Sequence, residues 1–223
     1  MSFIIAIDGP AGTGKGTITK LLAEKLNLVN IDTGATYRSV ALAMLQEKIN
    51  LNEIEKVEKL LENIKIELKK INGEDKVFLN GEDVTTKIRN EDVTAFVSQV
   101  SAIKCVRLKM VDLQRKMAEG KDVIMEGRDI GTYVFPNADI KFYIDADVEE
   151  RARRRYEQNK SKGIDISYEN VLENLKFRDE NDKNKEMGAL KVAKDAIVID
   201  TTNMTIDEEI NKIIKQIKEK RKE

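Results

Sequence analysis

The chain has 223 residues, of which 41% are apolar and 35% charged, enough apolar side chains for a buried core and too many for a disordered segment. Its 39 Lys and Arg stand against 40 Asp and Glu, a net charge of −1, so no overall basic field exists to gather nucleic acid or anionic lipid. The absence of His excludes His general bases, Ser-His-Asp triads and His metal sites, and a single Cys105 excludes an internal disulfide and a Cys-cluster zinc site. Such cysteine usage fits a reducing compartment, and the first apolar stretch, Phe3 to Ile7, is too short for a signal peptide or a membrane span. A cytoplasmic protein without a membrane or nucleic-acid partner is the expectation.

Short apolar runs bounded by Gly or Asp recur along the chain and predict buried strands at Phe3–Ile7, Leu28–Ile31, Val123–Met125, Ile140–Ile144 and Ala196–Ile199. Helical periodicity separates most of them, as in Ile18, Leu21, Leu22 and Leu26, so the pattern is an α/β fold with a parallel sheet covered by helices on both faces. Between the second and third strands, helices are predicted over Ala35–Gln46, Glu53–Asn63 and Glu91–Glu119, the last broken near Lys104. Interposed is a stretch of different texture, where Ile64, Ile66 and Leu68 alternate with polar residues. Asn72-Gly73 and Asn80-Gly81 then supply turn signals on either side of Val77-Phe78-Leu79, which predicts a small antiparallel insert. From Thr205 a final helix carries Ile206, Ile210, Ile213, Ile214 and Ile217 on one face and ends in Lys220-Arg221-Lys222, a solvated terminus that suits the helix dipole.

Directly after the first strand comes Gly9-Pro10-Ala11-Gly12-Thr13-Gly14-Lys15-Gly16-Thr17, followed by an amphipathic helix. This is a phosphate-binding loop in the context it requires. The glycines let backbone N–H groups curl around phosphate oxygens, the helix start adds its positive end, and Lys15 can reach the β- and γ-phosphates of a nucleotide. Gly16 stands where Ser or Thr commonly ligates Mg²⁺. With Thr17 one position later, the metal is expected to be held mainly by water and phosphate and by no firm side-chain ligand, Thr17 being the candidate hydroxyl.

Lys fills most of the basic positions, so each Arg is informative: its planar fork binds phosphate or a base edge at two points, which an ammonium cannot do. Arg38 follows the second strand and Arg128 the third, where strands of an open α/β sheet deliver residues to a ligand crevice. Arg151, Arg153, Arg154 and Arg155 lie on a helix before the polar stretch Gln158–Gly163, which is expected to be a mobile lid. For any one of these four, a solvated helix face explains the residue as well as a phosphate contact does. Asp182 lies four residues after Arg178, where either an ordinary helical ion pair or a joint ligand contact accounts for the pair.

These residues together resemble the bacterial cytidylate kinases. The resemblance runs through Ile7-Asp8-Gly9-Pro10 and the loop, Ile31-Asp32-Thr33-Gly34-Ala35 to Arg38, Phe78–Val84, Glu126-Gly127-Arg128-Asp129-Ile130-Gly131-Thr132, and Ala196–Thr202. It implies a P-loop kinase core with a five-stranded parallel sheet over residues 1–62 and 91–223, a lid at about 151–165, and an antiparallel monophosphate-binding insert over 63–90. It implies transfer of the ATP γ-phosphoryl group to CMP or dCMP with Mg²⁺, by a monomer. Lys15, Arg128, Arg151 and Arg155 are then expected at the transferred group. Thr33, Arg38, Ser98, Arg107, Arg128, Asp129, Arg178, Asp182 and Lys185 are expected around the acceptor. Cytosine presents an amino donor at N4 and acceptors at N3 and O2, so Asp129 suits the first, and Arg107 and Ser98 suit the others.

This chain departs from the family at Lys185, where an Arg is usual, and at Ala189-Leu190, where Pro-Leu is usual. Glu126 stands where many relatives have Asp; it either orients Mg²⁺-bound water or has a structural role. The alternatives left open are a P-loop kinase for UMP, AMP or a metabolite such as shikimate, and a nucleotide-binding switch.

Overall fold

The computed structural model describes Ser2–Arg221; Lys222, part of the basic end, lies outside the described residues. Five parallel strands form the main sheet: β1 (Ile4–Asp8), β2 (Val29–Asp32), β6 (Val123–Gly127), β7 (Ile140–Asp145) and β8 (Ile197–Asp200), in the spatial order β2-β6-β1-β7-β8. β1 is central, pairing Asp8 with Gly127 on one side and with Tyr143 on the other. The predicted strands fall within a residue or two of these bounds; the continuous apolar runs of β1, β6 and β7 are those of strands buried on both faces, while the edge strands β2 and β8 expose Val29 and Val198.

The chain divides into two units, with the dividing line inside β2: residues up to Asn30 together with Ala118 onward form one, and Ile31–Met117 the other. In the first unit, α1 (Lys15–Leu26) and α8 (Ile206–Lys220) bury Ile18, Leu22, Ile210, Ile213 and Ile217 against Ile5, Ile7, Ile124, Phe142, Ile144 and Ile199 of the sheet. α8 opens with a capping box, Thr205 accepting from the Glu208 N–H while Glu208 accepts from Thr205. α6 (Val148–Ser161) and α7 (Tyr168–Lys183) form a helical hairpin whose Ala152, Val171 and Leu175 pack with Ala11. The expected polar lid is therefore largely helical: Gln158–Ser161 form the last turn of α6, and Lys162-Gly163 make the turn that leaves it.

The second unit holds α2 (Thr33–Gln46), α3 (Ile54–Asn63), β3 (Ile66–Ile71), β4 (Glu74–Leu79), β5 (Glu82–Asp83), α4 (Glu91–Val100) and α5 (Lys104–Ala118). β3, β4 and β5 form the antiparallel sheet that the Asn-Gly pairs predict, with Asn72 and Gly73 both at positive φ in the first hairpin turn. The unit is wider than the expected insert at 63–90. Val40, Met44, Val57, Leu61, Val77, Leu79, Ile88, Val93, Val100 and Met110 share one core, so the helices flanking the small sheet belong with it.

Candidate functional site

The loop from Gly9 to Gly14 joins β1 to α1. A Cβ on Gly9 would lie 2.0 Å from the Ile144 carbonyl oxygen, so only glycine allows the loop to leave the sheet so close to β7. Gly14 caps α1 at φ 88°, and its carbonyl accepts from the N–H groups of Thr17 and Ile18. Lys15, the first residue of α1, is 4% exposed and turns back across the loop. Its Nζ donates to the Pro10 carbonyl at 2.6 Å and to Thr13 Oγ1 at 3.1 Å. Burial, reinforced by the charge of Arg128, lowers the Lys15 ammonium to a pKa of about 7 against the pull of Glu126, Asp8 and Asp182.

Asp8, at the end of β1, accepts from the N–H groups of Ile130 at 2.8 Å and Gly131 at 2.7 Å. These bonds fix the segment after β6 that carries Arg128 and Asp129, and that segment continues as a one-turn π-helix over Ile130–Val134. Burial raises Asp8 to a pKa of about 6 although the two N–H groups oppose it. In the sequence Asp8 stands out only as part of the Ile7-Asp8-Gly9-Pro10 motif. An acidic residue closing a buried strand was the available signal, but its partners lie 122 and 123 residues away.

Arg128 Nε donates to Asp182 Oδ2 at 2.7 Å, and Lys185 Nζ donates to Asp182 Oδ1 at 2.7 Å. Asp182 and Lys185 are both 7% exposed in their side chains, so the point charge at Lys185 is anchored on the same carboxylate as the Arg128 fork. The Leu190 N–H donates to the Asp182 carbonyl at 2.7 Å, which ties down the segment where the chain has Ala189 in place of the usual Pro. Arg178 is half-buried on the same helix. Asp129 is buried at φ −146°, immediately before the π-turn.

The four clustered arginines differ in burial and in partners. Arg151 is buried and engages the loop, donating from Nη1 to the Ala11 carbonyl at 2.8 Å and from Nη2 to Asp179 at 2.7 Å. Arg153 is exposed and pairs with Glu150 and Glu157. Arg154 donates to Glu150 and to the carbonyls of Thr201 and Thr202. Arg155, expected beside Arg151, is exposed and donates to Gln158 along α6. Arg153 and Arg154 point to other sides of α6 than Arg151, whereas Arg155, one turn after Arg151, differs from it in burial and not in face.

In the second unit, Asp32 caps α2 by accepting from the Ala35 N–H at 3.0 Å, which buries Thr33 in the first turn. Arg38 Nη1 donates to Thr94 at 3.3 Å. Arg107, 2% exposed on α5, places its guanidinium 5.3 Å above the Tyr37 ring. The Ser98 hydroxyl oxygen is shielded from solvent and has no hydrogen bond among the described residues.

Nucleotide and metal fit this donor set to different degrees. The Gly14 turn, the α1 N-terminus and Lys15 match the needs of a polyphosphate. Among the described residues no group of three acidic or Cys side chains converges as a metal cage. A Cβ on Gly16 would lie 2.9 Å from Glu126 Oε1, so the Glu126 carboxylate lies over the start of α1, with the exposed Thr17 next along the helix. One carboxylate and one hydroxyl suit a Mg²⁺ that arrives with phosphates and retains water.

The cytidylate kinase family profile matches residues 5–219. The chain belongs to the cytidylate kinase family. It is 51% identical over 210 residues to a cytidylate kinase of Caldicellulosiruptor saccharolyticus, covering 94% of this chain and 93% of that one. It is 49% identical to one of Fusobacterium nucleatum, covering 97% of each, and 45% identical to one of Bacillus subtilis, covering 97% and 96%. A solved structure of an uncharacterized protein from Eubacterium ventriosum shares the fold at 16% identity and a TM-score of 0.54, covering 98% of this chain and 99% of that one. No helix among the described residues is long and apolar enough to cross a membrane.

Proposed function

We propose that this chain transfers the γ-phosphoryl group of ATP to CMP or dCMP, giving ADP and CDP or dCDP. The observation that carries the reading is the match to cytidylate kinases over residues 5–219. The site chemistry is in keeping with it. An acceptor phosphate oxygen is itself the nucleophile, its new P–O bond forming as the bond to the ADP oxygen breaks, so no covalent side chain and no strong general base are required. A chain without His can do this work by positioning and charge neutralisation alone.

Lys15 and the loop N–H groups would hold the donor phosphates, and Arg128 would meet charge on the transferred group. Mg²⁺ bound with ATP supplies further neutralisation of the β- and γ-phosphates; Glu126, through water, and Thr17 are the residues that would hold it. Thr33, Arg38, Arg178 and Lys185 are assigned to the acceptor phosphate and its surroundings, and Asp182 to the ribose hydroxyls. Asp129 offers the acceptor for cytosine N4, and Ser98 and Arg107 offer donors for the other edge. The readings as a kinase for UMP, AMP or a metabolite, or as a nucleotide switch, draw no support from these relatives.

The test is ADP formation by the purified chain with MgATP and each acceptor in turn. Turnover should depend on CMP or dCMP and be unaffected by RNA or DNA. ATP consumption that ignores CMP, or that prefers UMP or AMP, would overturn the assignment.

A further inference from the structure

The middle of the phosphate loop is gripped from outside. Ala11 presents both of its peptide groups to one buried ion pair: its N–H donates to Asp179 Oδ1 at 3.3 Å, and its carbonyl accepts from Arg151 Nη1 at 2.8 Å. Arg151 Nη2 closes the ring on Asp179 Oδ2 at 2.7 Å, and Arg151 Nε donates to the Ala146 carbonyl at 2.8 Å. Arg151 is 5% exposed and Asp179 8%. A Cβ on Gly12 would lie 3.4 Å from Arg151 Cβ and 3.5 Å from Leu175, so both helices of the hairpin abut the next residue of the loop as well. Each Arg151 nitrogen thus has a partner within the protein.

From this geometry we infer that Arg151 and Asp179 are positioning residues that set the conformation of the phosphate loop, and that Arg151 does not act on the transferred phosphoryl group. The inference rests on the kinase reading given above. A phosphate loop works by aiming N–H groups inward, and it fails where a carbonyl oxygen faces the anion instead. The Ala11 carbonyl is held away by a guanidinium, and the carboxylate that takes the Ala11 N–H has its own charge offset by the same guanidinium. Neither partner suffices alone: without Asp179 the buried Arg151 charge is uncompensated, and without Arg151 the buried Asp179 charge is. Asp182, three residues after Asp179 and so on the same side of α7, holds Arg128. One helix face therefore fixes both the loop and the arginine that follows β6.

The experiment compares Asp179→Asn, Arg151→Gln, Arg151→Lys and the charge-neutral double variant Asp179→Asn/Arg151→Gln with wild type. It reads equilibrium binding of a fluorescent ATP analogue, KM for CMP, kcat and the thermal midpoint. Because nucleotide binding is measured without an acceptor, a wrong assignment of CMP leaves this test standing. Asp179→Asn and Arg151→Gln should each weaken the ATP analogue roughly 10- to 100-fold, the loss expected of a hydrogen bond involving a charged group. KM for CMP should stay within about twofold, and the double variant should bind no worse than the weaker single, since both members serve one contact. Arg151→Lys should not rescue, because one ammonium cannot make the three directed donations. Rescue by Lys, or nucleotide binding like wild type in Asp179→Asn beside lost kcat in Arg151→Gln, would return Arg151 to the reacting group and overturn the inference. Should a single variant not fold at the assay temperature, wild-type nucleotide affinity in the folded double variant overturns it equally.

Discussion

Arg128 and Lys185 meet on opposite oxygens of Asp182, each at 2.7 Å, within one unit of the fold. Burial alone would push the Asp182 carboxyl up, but the two cations pull it down to about 2. A carboxyl whose folded pKa lies below its ordinary 3.8 adds stability at neutral pH, which is lost as pH falls through the folded value. The contribution is on the order of 2 kcal/mol, and the loss should lie below pH 4. Asp182→Asn should cost about 2–4 kcal/mol, because it leaves the buried Lys185 and the partly buried Arg128 facing a neutral amide. Urea midpoints for wild type and variant between pH 1.5 and pH 7 check both numbers; a variant as stable as wild type at pH 7 would show that the network does not stabilise the fold.

Lys15 gives a prediction in the opposite direction of charge. With its pKa lowered to about 7, chiefly by burial and then by Arg128, the ammonium of the nucleotide-free protein is largely deprotonated at pH 8. Triphosphate placed against it favours the charged form. Binding of ATP should therefore take up a proton near pH 8, and affinity should fall as pH rises from 7 to 9. Calorimetry in buffers of different ionisation enthalpy measures the uptake directly. Lys15→Ala should abolish both the uptake and phosphoryl transfer while retaining the fold, and normal turnover in that variant would sink the loop assignment.

Glu209 lies outside the expected site, 4% exposed in the first turn of α8, and one of its carboxylate oxygens has no hydrogen-bond partner among the described residues. Burial raises it to a pKa of about 7, and the charges of Arg154 and Lys15 only partly offset this. Its folded value exceeds the ordinary 4.5, so the protonated carboxyl is tolerated in acid and stability is lost as pH rises through 7. Glu209→Gln should raise stability at pH 8 by about 2–3 kcal/mol and leave it nearly unchanged at pH 3, below the ordinary carboxyl value. Equal gains at both pH values would mean that packing and not charge governs the site.

Local features of the sequence carried most of this architecture, and distant pairings carried the rest. The runs ending in Asp8, Asp32 and Gly127 mark strands, and Asn72-Gly73 marks a hairpin, because each feature is decided within a few residues. Arg151 and Arg155 lie one turn apart on the same face of α6 and look alike in the sequence; only the distant contacts of Arg151 with Ala11 and Asp179 bury the one, while the other stays exposed. Asp179 is illegible in the sequence for another reason. It follows Arg178 in an acidic helix, and nothing nearby reveals that it meets the Ala11 N–H across 168 residues.

Asp129 carries the prediction on specificity. It is buried, directly follows Arg128, and its position is set by the bonds from Asp8 to the next two residues. If its carboxylate accepts from cytosine N4, UMP presents a carbonyl oxygen at the same place, an acceptor against an acceptor. Losing a hydrogen bond to a charged group and leaving the carboxylate facing a lone pair should cost on the order of 2–4 kcal/mol, roughly 30- to 1000-fold in kcat/KM. Asp129→Asn can turn either end of its amide toward the base, so it should lose activity on CMP and narrow the gap to UMP. Ser98 and Arg107 would still offer donors to N3 and O2, which keeps the comparison within one binding mode. The measurement is kcat/KM for CMP and UMP in wild type and variant. A CMP to UMP ratio unchanged by the substitution would take Asp129 out of base recognition and leave the discrimination to Ser98 and Arg107.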